Sequence, residues 1–195
     1  MTNREVTGLG WALPDDWLAW HIGDLLAVAT AVAALGDNAD SVRAMAAAAT
    51  EFDAFARAEL PGTTCAAIWV PSACDRRPHA SAALRIASVP ASDRMSPDRL
   101  MAFVRDVPRS RRTRTLDIAV ARRRLEPGEG VLRIVDRAPR LTRRVSREWT
   151  WYILPTGTDD LIACQVESSS VAHFDALADM TTDIANSIEI TLEPV

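Results

Sequence analysis

Two apolar stretches near the start of the chain have helical character. From Asp24 to Leu35 nearly every position is apolar, Asp24 can cap the start, and Gly36 follows the end, which predicts a largely buried helix. From Asp40 to Glu59, apolar residues recur at spacings of three and four and predict an amphipathic helix. Its buried stripe is Val42, Met45, Ala49 and Phe52, with Arg43, Glu51, Asp53 and Arg57 elsewhere around the helix. Pro61-Gly62 ends it, so we expect the two helices to pack as a hairpin.

The pattern then becomes mostly extended, with a helix in the middle and another near the end. Ser96-Pro97-Asp98 predicts a helix start, with Leu100, Phe103, Val104 and Val107 as the buried stripe. A second stripe predicts an amphipathic helix from Ser169 or Ser170 to Ile188, and its Asp175, Asp179 and Asp183 point to solvent. The predicted strands are Thr63–Val70, Ala80–Val89, Arg114–Arg124, Val131–Arg137, Val145–Leu154 and Leu161–Ser168, with a short terminal strand over Ile190–Val195.

Short turns join most of these strands, which predicts antiparallel neighbours. The expected class is α+β: an antiparallel sheet of about six strands packed with helices, like an αβα sandwich with an N-terminal helical hairpin. With 195 residues, we expect one domain over residues 1–195. Residues 1–60 would hold a first strand, around Gly8 to Trp17, and the hairpin, and residues 63–195 the sheet with two helices.

Charge is distributed unevenly along the chain. The net charge is −4, and all 22 basic residues are arginines. Between residues 91 and 150 there are 16 arginines and 8 acids, whereas the rest has 6 arginines and 18 acids. This arginine-rich segment, here called the arginine band, could bind an acidic partner. Its arginines could instead pair with the protein's own acidic helices. The candidate partner-binding residues are Arg109, Arg111, Arg112, Arg114, Arg122, Arg123, Arg124, Arg143 and Arg144.

The leading hypothesis is a non-enzymatic accessory or adaptor protein, monomeric or homodimeric, that binds another protein. The overall acidity and the missing helix-turn-helix and zinc-finger spacings argue against nucleic acid. We expect no membrane span and no signal peptide, and therefore the cytoplasm. Three cysteines, Cys65, Cys74 and Cys164, suit reducing surroundings.

Tryptophans suggest an alternative function. Alternation places Val145, Arg147, Trp149, Trp151 and Ile153 on one face of a strand, and Ser146, Glu148, Thr150 and Tyr152 on the other. We expect the tryptophan side to face the helices. Trp149 and Trp151 could then line a pocket for an apolar small molecule between the sheet and the helical hairpin.

Catalytic and cofactor signals are weak throughout. Nothing in the sequence links His21, His79 and His173, and no nucleophile elbow is present. The spacing of Cys65, Cys74 and His79 matches no zinc site, and Gly128-Glu129-Gly130 lacks the features of a phosphate loop. We expect no catalytic residue, metal or cofactor. A hydrolase using Cys74 or His79 is the third hypothesis.

Two short segments and the order of elements carry a family resemblance. The opening Leu13-Pro14-Asp15-Asp16-Trp17 and the strand-then-helix ending from Leu161 to Ile188 resemble the PsbP-like superfamily. That superfamily includes photosystem PsbP proteins, Ran-binding Mog proteins and actinobacterial LpqN-type lipoproteins. The helical hairpin from Asp24 to Leu60 departs from its plan, and no lipobox cysteine is present. The resemblance implies an accessory or binding protein without catalysis, and it supplies no functional residue.

Overall fold

The computed structural model describes residues 4–33, 38–72, 75–87, 95–106, 113–140 and 144–194. The helices are α1 (Leu25–Ala33), α2 (Ala39–Glu59), α3 (Pro97–Arg105) and α4 (Phe174–Asn186), the last preceded by a short 3-10 turn over Val171–His173. The strands are β1 (Arg4–Gly10), β2 (Trp17–His21), β3 (Thr63–Trp69), β4 (Ala80–Ala87), β5 (Thr113–Leu125), β6 (Gly128–Pro139), β7 (Ser146–Pro155), β8 (Leu161–Ser168) and β9 (Glu189–Pro194).

Seven strands form one sheet in the order β2-β3-β4-β8-β7-β6-β5, and each neighbouring pair is antiparallel. The first and last strands, β1 and β9, pair separately as a two-stranded antiparallel sheet. The expected α+β class with an antiparallel sheet is confirmed. The main sheet has seven strands because Trp17–His21, which we had not predicted as a strand, extends it at one edge.

One face of the main sheet, here called the α4 face, is covered by α4 and β1. The core on this side joins Trp149, Trp151 and Leu84 of the sheet to Phe174 and Leu177 of α4. We expected the tryptophan side to face the helices, but of the four described helices only α4 lies on it. The other three helices lie on the opposite side.

The opposite face, here called the hairpin face, carries two separate apolar clusters. At one edge, α1 and α2 cover β2 and β3, where Met45 and Ala49 meet Ala66 and Ile68. Toward the other edge, α3 contacts β5 and β6, and its Leu100 and Val104 join a cluster that includes Tyr152. The helices therefore cover the two ends of this face, and the sandwich arrangement is confirmed.

The predicted helical hairpin is present, but α1 is not largely buried. Only Val28 and Val32 are buried in α1, whereas Leu25 is 47% and Leu26 78% exposed, because the helix touches the rest of the protein along one narrow stripe. Helix α3 begins at the predicted cap, where the Ser96 hydroxyl accepts a hydrogen bond from the Arg99 amide. The predicted ends at Leu35 and Val107 lie outside the described residues.

Two predicted side-chain environments are wrong. Phe103, expected in the buried stripe of α3, is 59% exposed. Asp53, expected on the polar side of α2, is fully buried. Its carboxylate accepts hydrogen bonds from the Trp20 indole at 3.1 Å and the Gly23 amide at 2.8 Å, and Arg57 Nε lies 3.0 Å away. The two hydrogen bonds to Oδ1 and the ion pair at Oδ2 compensate a charge that would otherwise be costly to bury, although Oδ2 accepts no hydrogen bond.

Candidate functional site

Strand β5 forms one outer edge of the main sheet. It pairs with β6, and within the part of the chain that the structure describes no strand pairs with its other edge. It is long, with 13 residues, and all but three of its positions are exposed. Leu116 and Ile118 are among the exposed positions, at 46% and 37%. An edge strand of this length presents a row of backbone donors and acceptors that another extended chain can use.

The structure brings four of the predicted partner-binding arginines together on β5, against a single aspartate, Asp117. The register places Arg114 and Arg123 on the α4 face and Arg122 and Arg124 on the hairpin face. The predicted arginine band is therefore divided between the two sides of one edge strand.

Arg122 differs from the other three because it has acidic partners in the protein. Its guanidinium lies 3.1 Å from the Glu129 carboxylate and 3.6 Å from the Asp98 carboxylate. Arg122 is therefore paired with acidic residues of the protein itself. Arg114, Arg123 and Arg124 form no salt bridge with any described residue. These three arginines are available to an external anionic group.

The remaining predicted residues are not gathered with them. Arg144 is exposed immediately before β7. Arg109, Arg111, Arg112 and Arg143 lie outside the described residues. Their contribution to partner binding stays a prediction.

A second group of charged side chains lies on the hairpin face, between the areas covered by α2 and α3. It consists of Arg85 on β4, Glu167 on β8, Glu148 on β7, and Arg133 and Arg137 on β6, and we call these five residues the charged cluster. The Glu148 carboxylate accepts from Arg133 at 2.6 Å and from Arg137 at 2.5 Å. The Thr150 hydroxyl donates to the same carboxylate at 2.9 Å.

The two glutamates of this cluster are in different electrostatic environments. Burial alone would raise the pKa of Glu148, but the charges of Arg137 and Arg133 and the hydrogen bonds it accepts hold that pKa below its ordinary value. For Glu167, burial and then the charge of Glu148 raise the pKa. Arg137 lowers the pKa of Glu167 too weakly to reverse this direction. Glu148 is therefore held as an anion, whereas ionisation of Glu167 is disfavoured.

The arginines of the charged cluster are not all neutralised. Arg85 forms no salt bridge with a described residue, and its Nε is buried without a hydrogen-bond acceptor. Arg133 is paired through Nη2, but its Nε is likewise buried and without an acceptor. Its guanidinium also lies over the Tyr152 ring, 5.3 Å from the centroid. The cluster thus retains unsatisfied cationic donors.

Sequence reasoning missed the charged cluster, although it placed Glu148, Thr150 and Tyr152 on one face of their strand. A detectable signal was Arg85, a lone charge inside the apolar run Ala80–Ala87. A second signal was the spacing of Arg133 and Arg137, which puts both on the same side of β6. The assembly needs β4, β8, β7 and β6 side by side, and this order is not visible in the sequence.

Trp149 and Trp151 lie on the α4 face, opposite the helical hairpin, so the predicted placement of a pocket between them and the hairpin is wrong. The register explains this, because each ring points to the side that α4 covers. The exposed fractions are 1% for Trp149 and 0% for Trp151, and Trp149 meets Phe174 edge to face with centroids 5.6 Å apart. A ligand-binding role for these tryptophans stays a prediction, and it would require this core to open.

Two of the histidines come together, which the sequence did not indicate. The rings of His79 and His173 are perpendicular with centroids 4.8 Å apart, and Trp69 packs against both. His79 Nε2 lies 3.4 Å from Asp75. The Ser168 hydroxyl donates to the backbone oxygen of His79 rather than to its ring. Cys74, named in the hydrolase hypothesis, lies outside the described residues, so that hypothesis stays a prediction.

Comparisons with known proteins give distant likenesses to solved structures only. No protein family matches the chain, and no curated protein matches its sequence. Among the solved structures that match is LpqN, described as involved in cell envelope biogenesis of Mycobacterium tuberculosis, at 12% identity and a TM-score of 0.44. The match covers 97% of this chain and 85% of LpqN. An LpqN-type protein is thus among the similar structures, while membership of the wider PsbP-like superfamily stays a prediction.

Among the described residues, none of the helices is both long and apolar enough to span a membrane.

Proposed function

We propose that this protein is a non-catalytic accessory protein that binds an acidic, extended segment of another protein along β5. The observation that carries the proposal is the combination of an outer edge strand and its charge. Among the described residues this edge is unpaired, and the strand carries four arginines against one aspartate. Backbone hydrogen bonds would supply affinity and the arginines would select the partner.

The distribution of arginines over both sides of β5 suits an added strand. Side chains of an extended peptide alternate between the two faces of the sheet it joins. Arg123 would meet acidic residues on the α4 face, and Arg124 would meet them on the hairpin face. A partner with acidic side chains at both odd and even positions therefore fits better than one with a single acidic face.

Self-association through this edge is disfavoured by the same charges. Two copies of β5 joined edge to edge would bring arginines of one copy near arginines of the other, and like charges placed opposite one another are destabilising. The proposed occupant is therefore a different, acidic chain. We also propose the cytoplasm as its location, a view that the free thiols of Cys65 and Cys164 support.

The experiment uses a fluorescent peptide of about ten residues with a repeating Glu-Glu-Val-Val pattern, which places acidic side chains on both faces of the extended chain. Fluorescence anisotropy should show salt-sensitive binding of this peptide and no binding of the matching lysine–valine peptide. The triple variant Arg114→Glu, Arg123→Glu, Arg124→Glu should weaken binding by about tenfold or more, because three attractive contacts become repulsive.

Two controls separate strand addition from general attraction to arginine. The triple variant Arg43→Glu, Arg76→Glu, Arg77→Glu carries the same charge change at exposed positions on α2 and in the connection between β3 and β4, and it should bind as the wild type does. N-methylation of alternate peptide residues should abolish binding, because it removes donors along one edge. Equal binding of the methylated peptide, or equal loss in both triple variants, would refute the proposal.

A further inference from the structure

We propose that the hairpin face carries a separate site for the oxyanion group of a small molecule, a carboxylate or a phosphoryl group, held between Arg85 and Arg133 beside Tyr152. This site is distinct from the β5 edge. Arg85 is on β4, and β8, β7 and β6 lie between that strand and β5.

The strand register brings the proposed ligands together. Arg85 and Tyr152 are both cross-strand neighbours of Ala163, one on each side of β8. The small side chain of Ala163 leaves the space above it to the two long side chains. Arg133 approaches Tyr152 from the opposite side, 5.3 Å from the ring centroid. Tyr152 therefore lies on β7 between the strands that carry the two arginines, with Arg85 on one side and Arg133 on the other.

The charged cluster has more arginines than carboxylates, so a further anion can bind there. Arg133 and Arg137 share the carboxylate of Glu148, whereas Arg85 has no carboxylate partner among the described residues. The other carboxylate, Glu167, forms no salt bridge with a described residue. Three arginines thus face two carboxylates, and only the carboxylate of Glu148 is paired with an arginine.

Unsatisfied donors in the same place give the second, independent observation. The Nε groups of Arg85 and Arg133 are both buried without an acceptor. A buried donor with no partner is unfavourable, and a charged donor more so. An oxyanion accepts several hydrogen bonds at once from arginine, and its oxygens would satisfy both groups.

The ligand is expected to enter from the part of the hairpin face that lies between α2 and α3. Arg85, Gln165, Glu167, Arg133 and Arg137 are all only partly buried there, so this area is accessible among the described residues. The area is framed by two apolar clusters, one under α1 and α2 and one under α3. A small acid with an apolar body would match both the arginines of this area and the apolar clusters on either side of it.

The test follows the Nε–Hε resonances of Arg85 and Arg133 by NMR while inorganic phosphate or benzoate is added at constant ionic strength. Binding should move both resonances in a saturable manner, and the ion with the lower dissociation constant identifies the class of oxyanion. Arg85→Gln should abolish saturable binding, Tyr152→Phe should weaken it several-fold, and Arg43→Gln, an exposed control on α2, should leave it unchanged.

Failure of this site can be told apart from failure of the proposed function. Arg85→Gln should bind the acidic peptide at β5 as the wild type does, because three strands lie between β4 and β5 in the sheet order. Resonances that do not move with either anion, or that move without saturation in proportion to concentration, would overturn the oxyanion site even if the peptide binds.

Discussion

Individual charged residues in this protein differ mainly in how completely their charges are compensated. Asp53 is buried, with two hydrogen bonds to Oδ1 and an ion pair with Arg57 at Oδ2, and Glu148 is buried and held by two arginines. Arg114, Arg123 and Arg124 on β5 are exposed and form no salt bridge with a described residue, so each contributes little to folding. Charges that are buried and paired therefore stabilise the fold, whereas charges without a partner keep donors that other groups can use.

The two glutamates of the charged cluster should affect stability with opposite signs. The pKa of Glu148 in the folded protein lies below its ordinary value of 4.5, so its stabilising contribution is complete above that pH and is lost as the pH falls through the folded pKa. We expect Glu148→Gln to lower the free energy of unfolding by about 3 kcal/mol at neutral pH, because two arginines lose their partner. The loss should shrink in acid.

Glu167 provides the matched comparison. Its folded pKa lies above 4.5, so the stability associated with its protonated form is present below that value and is lost as the pH rises through the folded pKa. Glu167→Gln should therefore raise the free energy of unfolding at neutral pH and change it little below pH 4.5. Urea unfolding of both variants across this range measures the effect, and the same sign for both at neutral pH would contradict it.

At the scale of elements, short connections decide where each helix and strand ends. The turn at Pro61-Gly62 links α2 to β3, and Gly62 has φ +81°, a conformation that favours glycine. Its carbonyl accepts a hydrogen bond from the Ile86 amide at 3.1 Å, so this turn contacts β4 directly. A Cβ at position 62 would lie 2.2 Å from the Ile86 carbonyl oxygen. The turn therefore has no space for a side chain.

Gly62→Ala should accordingly destabilise the protein by roughly 2 kcal/mol or more, from backbone strain and from displacement of the end of β4. Gly10→Ala is the control, because a Cβ at Gly10 would meet nothing within 4 Å. Thermal and urea unfolding of both variants would check this expectation. If the two alanine variants were equally stable, the close approach at Gly62 would be without consequence.

At the scale of the whole molecule, the sheet order decides what is central and what is at the edge. Strand β8 comes late in the chain but lies in the middle of the seven-stranded sheet, between β4 and β7. Its Cys164 is completely enclosed, and burial raises the pKa of that thiol to about 12. Cys65 on β3 is also buried, and burial raises its pKa as well.

These two thiols should react only when the whole sheet opens. In a Cys74→Ser variant, which leaves Cys65 and Cys164 as the only cysteines, a thiol reagent at pH 8 should label neither residue in the native protein. Both should be labelled in guanidinium. The rate of Cys164 labelling in mild denaturant should follow global unfolding measured by tryptophan fluorescence, and rapid labelling of the native protein would contradict the central position of β8.

Much of the local structure could be read from the amino-acid pattern, because helix caps, turns and periodicity are short-range properties. The Pro61-Gly62 end of α2, the Ser96-Pro97 start of α3 and the stripe Phe174, Leu177, Thr181, Ile184 along α4 are of this kind. The class of fold followed from the same signals. Strand β2 was missed because its five residues are too few to show a clear alternation.

The functional surfaces required tertiary structure, because they depend on which strands become neighbours. The arginine-rich stretch was visible along the chain, but only the sheet order makes β5 an outer edge and divides its arginines between two faces. Arg85, Tyr152 and Arg133 are far apart in sequence, and they meet because β8 inserts between β4 and β7. Periodicity states which side chains share one face of a strand, whereas the long-range pairing of strands determines which faces, edges and charges come together.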